Sequence, residues 1–316
     1  MFYFIINYNY YWHTLNQIAR PTPPHLLKEF IINCYMENRY TLKPASALWY
    51  LMRVLIVLMV LDASAIAVEY YLRTYVDPSI TASYSFQYYV TGMFAMDGER
   101  NIPTYFSAIN LLVSAILLFT ISRHVKNSAK PRHHRKWYLM GCMFAWLSAD
   151  ELFSLHELLV KPTRGFLKQS LQQDNLGYLN FAWFVPYLLF FMLVGLYLVK
   201  FVLSLPRTTL LRFIGAGAIF IAGAVGMEMI GGDFMADKGS RISLVYKMFT
   251  SVEEVLEMLG IIFFIYSLLK YMEQQTAMND LLTLTFNKTR KEAVPASSAP
   301  KQHVIKEVEA PLTVAS

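Results

Sequence analysis

The chain has 316 residues, 55% hydrophobic and only 16% charged, with a mean hydropathy of +0.35 and a formal net charge of +6. A soluble domain carries about 25% charged residues. Apolar residues in long blocks argue instead for an all-α polytopic membrane protein whose first partner is the lipid bilayer, and the basic residues sit in loops and tails where topology accounts for them, so no nucleic-acid partner is expected.

Residues 1–46 read as a cytoplasmic arm. Its first twelve residues are aromatic and apolar but too short to span, and they lack a basic start and a cleavage site. They are either an interfacial anchor or lie ahead of a start at Met36. Residues 47–271 form the expected transmembrane domain of six spans, at about 47–72, 104–123, 137–160, 179–204, 209–230 and 244–271. Pro186 is expected to kink the fourth. The fifth carries a stripe of small residues, Gly215, Ala218, Ala222 and Gly226, suited to close helix packing. Residues 272–316 read as a cytoplasmic tail, and beyond about 276 the composition predicts disorder. Cys34 and Cys142 fall in the arm and in a span, so no disulfide is expected.

The link between spans two and three holds Arg123, Lys126, Lys130, Arg132, Arg135 and Lys136 and no acid. The positive-inside rule makes it cytoplasmic, which places both termini inside and the loops at 73–103, 161–178 and 231–243 outside. Tyr84, Phe86, Tyr88, Tyr89, Phe94 and Met96 crowd the first outer loop, as an interfacial helix or an aromatic belt would require.

Nine carboxylates lie inside the expected spans: Asp62, Glu69, Asp150, Glu151, Glu157, Glu228, Glu253, Glu254 and Glu257. Each costs roughly 2.5–3.5 kcal/mol at a helix centre on insertion scales. Combined with the topology, they gather from four helices into the outer half of the bilayer. Asp150, Ser154 and Glu157 share one face of an ideal helix, and Glu253, Glu254 and Glu257 fall within an arc of roughly 100°. His156 points away from the first stripe on that ideal helix. Lys247 is placed to pair with one acid, and Asp62 to complete the site from span one. The acids outnumber their cations, so the surplus is protonated or holds a bound metal.

Three uses of such a cluster stand open. The first is a divalent metal ion held by Asp150, His156, Glu157, Glu228, Glu253, Glu254 and Glu257, with Glu151 and Glu257 catalytic in hydrolysis of a lipid or envelope substrate. Against a di-iron centre, no Glu-x-x-His pair is present. The second is proton- or cation-coupled transport. The third is a structural one, with acids bonded to Ser107, Asn110, Ser114 or Tyr187 of neighbouring helices. Rossmann, P-loop and zincin signatures are absent.

The run Ser148-Ala149-Asp150-Glu151 followed by His156-Glu157 resembles the S-x-D-E-x4-H-E pattern of a family of uncharacterised bacterial polytopic membrane proteins. Glu253-Glu254-Val255-Leu256-Glu257-Met258-Leu259-Gly260 resembles the same family's E-E-x-L-E-M-x-G run. The resemblance covers roughly 137–271. It implies a multi-pass bacterial inner-membrane protein and encourages reading both runs as one functional unit.

Overall fold

The computed structural model of the chain describes residues 38–76, 86–128, 133–238, 243–275, 278 and 282–286. The chain divides into two units: Tyr40–Leu284 is one, and the two ends, Met1–Arg39 with Thr285–Ser316, are the other. Of the second unit only 38–39 and 285–286 are described, as the outer residues of two short strands, β1 (Asn38–Thr41) and β2 (Thr283–Phe286). Cys34 and most of the expected tail lie outside the described residues.

The larger unit is helical. Helix α1 (Pro44–Tyr71) runs into a π-helical turn at Leu72–Val76, and a short α2 (Phe86–Gly92) follows. Helices α3 (Ile102–Lys126) and α4 (His134–Phe153) form a tight pair. The Ser148 hydroxyl donates to the Ala108 carbonyl at 2.8 Å, and a Cβ on Gly141 would stand 2.6 Å from the Phe119 ring. Next come α5 (Glu157–Leu171) and α6 (Phe184–Leu203). Helix α7 (Arg207–Ile221) continues through a π-helical segment at Ala222–Met227 into α8 (Glu228–Lys238). Last is α9 (Leu244–Gln274), which packs against α1, α3 and α7 and forms the axis of the bundle.

Four of the described helical stretches are long and apolar enough to cross a membrane: Pro44–Val76, Ile102–Lys126, Phe184–Leu203 and Arg207–Asp237. Their outward faces are apolar. Ile56, Val57 and Val60 on α1, and Leu189, Phe190, Leu193 and Leu196 on α6, are all exposed. An exposed apolar belt of this extent suits lipid and not water. Helices α4 and α9, which carry five of the acids, are not among the four.

Three expectations about the helices change. The span expected over 137–160 breaks at Ser154, which takes a left-handed backbone (φ 52°, ψ 44°) and ends α4. The span expected over 179–204 is shortened by a 3-10 turn at Gly177–Leu179 and by Ala182 at φ 56°. Pro186 therefore falls in the first turn of α6 and kinks nothing, because a first-turn N–H has no helical partner to lose. The small-residue stripe on the fifth span is not the packing face, since Ala218 and Ala222 are exposed. Close approach happens instead at Gly223 and Gly260. A Cβ on Gly223 would meet the Glu253 carbonyl oxygen at 2.7 Å, and one on Gly260 would meet the Phe220 nitrogen at 2.8 Å.

The two ends of the bundle differ in chemistry. At one end Trp137 sits 5.1 Å edge-on from Phe201 and 5.0 Å from Tyr271, and Phe264 contacts Phe144 at 4.5 Å and Phe213 at 4.9 Å. Leu118, Ile121 and Leu268 fill the space between them. Met278 and Leu282, in the stretch where disorder was expected, are buried in this core. The acids lie toward the other end.

Candidate functional site

The segment 93–101 closes the acidic end, and its shape follows from its own polar residues. The Asn101 amide donates to the Ala95 carbonyl at 2.5 Å, and its side-chain oxygen accepts the Thr104 N–H at 3.1 Å, which caps α3. Two acids on α1 then hold the segment. Asp62 accepts the Met96 N–H at 2.8 Å and the Ser251 hydroxyl of α9 at 2.6 Å. Glu69 pairs with Arg73 and with Lys247, whose Nζ lies 2.7 Å from Glu69 and 3.1 Å from Asp97. Lys247 does pair with acids, but with Glu69 and Asp97 and not with its own helix. Asp62 completes the roof of the site and does not line it.

Beneath this roof is a cavity of about 410 Å³. Nine carboxyl groups line it: Asp97, Glu99, Asp150, Glu151, Glu157, Glu228, Glu253, Glu254 and Glu257. Among the described residues, no Lys or Arg lines it, and His156 is its one imidazole. Every residue expected at a site, Asp150, Glu151, His156, Glu157, Glu228, Glu253, Glu254 and Glu257, therefore faces a single space. Gly217 and Ala224 line it beside Glu228.

The route to this convergence differs from ideal helical spacing. Because α4 ends at Ser154, the chain turns back, and His156 Nδ1 comes to 3.2 Å from Asp150 Oδ2. An uninterrupted helix would have pointed His156 away. Glu157 becomes the first residue of α5 instead of the third member of an α4 stripe. The Ser154 hydroxyl donates to Glu99 at 2.7 Å, tying the break to the roof. Asp97 and Glu99 lie outside the expected spans, and only their long-range partners place them here.

Several of the acids are already engaged. Asp150 also accepts the Tyr187 hydroxyl at 2.7 Å, Glu228 accepts the Trp183 indole N–H at 2.6 Å, and the Ser107 hydroxyl reaches Glu151. Glu253 and Glu228 both line the cavity, where two carboxylates repel unless a proton or cation lies between them. Asn110 and Ser114 bond backbone carbonyls of their own helix, at Phe106 and Asn110. Glu254 and Glu257 are different. Both side chains are partly buried, no hydrogen-bond partner reaches either among the described residues, and both line the cavity. Among the described residues, no three His, Cys, Asp or Glu side chains are grouped so as to hold a metal ion.

A helical bundle with membrane-length apolar helices and an acid-lined cavity is the class that this fold and site define. The chain belongs to the family of a domain of unknown function (DUF8692), whose model matches residues 51–271 and so contains both acidic runs. Searches of curated proteins and of solved structures give no match.

Proposed function

We propose that the chain is a six-span protein of the bacterial inner membrane, with both termini cytoplasmic, and that its acid-lined cavity takes up a cation from the periplasmic side. One observation carries the cation reading. Among the described residues, Glu254 and Glu257 line, without a hydrogen-bond partner, a cavity that carries nine carboxyl groups and no Lys or Arg. Like charges crowded into one partly buried space repel, so a proton or another positive species completes the site. Elsewhere in the same unit the acids Glu69 and Asp97 meet that need with Lys247.

The geometry favours a proton or a cation larger than a metal ion. Asp150, Glu228 and Glu99 spend oxygens on Tyr187, Trp183 and Ser154, and among the described residues no three ligands converge. The reading as a divalent-metal hydrolase with Glu151 and Glu257 catalytic draws no support from this grouping. Transport draws some. Helix breaks at 154–156 and the π-helical segment at Ala222–Met227 both lie beside the acids, and interrupted helices of this kind recur at functional sites and in transporters.

Thermal unfolding of the purified protein in lipid nanodiscs tests the cation. Small ammonium, alkali and divalent ions are each added. The expected result is stabilisation by an ammonium ion in the wild type and none in a Glu254→Gln, Glu257→Gln double variant. Stoichiometric metal in elemental analysis, lost with Glu257→Gln, would restore the metal reading in its place. No response to any cation would leave the acids as hydrogen-bonded structure.

A further inference from the structure

A second cavity of about 280 Å³ lies directly beside the first, in the direction of the aromatic core. The two share five lining residues: Leu111, Phe144, Leu147, Gly217 and Phe220. Among the described residues no ionisable side chain lines the second, a partly open apolar slot. Gly217 stands at the junction, and a Cβ added to it would meet nothing within 4 Å. The acid space therefore opens into an apolar slot without a side chain at that point to divide them.

The acid space also has an aromatic corner. His156 and Trp183 have ring centroids 4.7 Å apart, and Trp183 and Tyr187 stand edge to face at 5.4 Å. Asp150 and Glu228 are hydrogen-bonded to these same side chains. Ring faces beside carboxylates are the chemistry that recognises ammonium groups. Among the described residues no Lys or Arg lines the cavity and His156 is engaged by Asp150, so a phosphate or carboxylate head would meet an excess of like charge.

We infer that the two cavities form one binding site for a single-chain amphiphile with an ammonium head: the head sits among the acids and the hydrocarbon chain lies in the apolar slot past Gly217. This inference rests on the cation reading and adds the tail. The two volumes lie within and just under the range of about 300–1,000 Å³ usual for small-molecule sites.

The probes are dodecylamine, propylamine and dodecanol, added to the full chain in phosphatidylcholine nanodiscs, with thermal unfolding as the readout. Dodecylamine is expected to raise Tm, and propylamine to need a concentration at least about tenfold higher for the same shift. Dodecanol should leave Tm unchanged. Gly217→Leu blocks the junction and should abolish the advantage of the long amine while propylamine still acts; Gly217→Val makes the same test if the Leu variant does not accumulate. Glu254→Gln with Glu257→Gln should remove the response to both amines. Equal response to the two amines, untouched by Gly217→Leu, overturns the tail and leaves the cation reading standing. An equal response to dodecanol overturns the ammonium head. No response to either amine overturns both readings together.

Discussion

Single residues decide whether an acid in this protein is structural or available. Glu69 has two cations and Asp62 has two donors, so both are satisfied by neighbours and neither faces the cavity. Glu254 and Glu257 have no partner and do face it. Sequence spacing does not separate these two kinds of acid, because each lies in an apolar helix and the difference is made by side chains far away in the chain. Lys247 shows what is at stake. It is the shared cation of Glu69 and Asp97, with only 11% of its side chain exposed. Removing one partner of a buried ion pair leaves an uncompensated charge and costs about 3–5 kcal/mol. Lys247→Met is therefore expected to lower unfolding stability by about that much. Adding Asp97→Asn should recover part of the loss, because the two changes share one network. Simple additivity of the two losses in a denaturant titration would show that Lys247 does not hold the roof in this way.

The helices were largely legible from the apolar blocks, and the departures occur where the chain is locally unusual. Glu253, Glu254 and Glu257 were readable as one face because α9 is uninterrupted through them. The α4 stripe was not, because Phe153 and Leu155 flank Ser154 and neither glycine nor proline marks the break. A left-handed residue at a helix end is most often glycine. Here serine takes the position, and its hydroxyl finds Glu99. The small-residue signal misled in a similar way: small side chains occur on two faces of the α7 stretch, and only contact with α9 chooses between them. The choice predicts opposite outcomes for two glycines. Gly260→Ala sets a Cβ against the Phe220 nitrogen and the Ala216 carbonyl at 2.8 and 3.0 Å, backbone atoms that cannot step aside. Overpacking of this kind costs about 1–3 kcal/mol. Gly226→Ala meets nothing within 4 Å and should be neutral or mildly stabilising, given the helix preference of alanine over glycine of up to about 1 kcal/mol. Equal losses for the two in thermal unfolding would mean that α7 and α9 do not meet at Gly260.

At the scale of the whole molecule, charge divides the bundle into two ends. The end holding the aromatic core receives the link from α3 to α4, with Arg123, Lys126, Arg135 and Lys136. There the Lys136 ammonium donates to the Tyr197 carbonyl at 2.9 Å. The other end holds the roof, the acid cavity, α8 and the start of α9. Basic residues flanking spans are retained on the cytoplasmic side, whereas acids contribute little to orientation. In the proposed orientation the basic link faces the cytoplasm and the cavity opens away from it. A reporter fused after residue 128 is expected to read as cytoplasmic, and one after residue 236 as periplasmic. Exchanging Arg123, Lys126 and Arg135 for Gln should weaken the first signal more than any change among the cavity acids. A periplasmic signal at 128 with a cytoplasmic one at 236 would turn the molecule over. The roof would then face the cell interior, and a ligand would have to reach the acids from the cytoplasmic leaflet. The apolar slot, running from the acids toward the aromatic core, would then point at the outer leaflet. Orientation thus decides from which leaflet a chain-bearing cation enters, and it can be measured before any ligand is known.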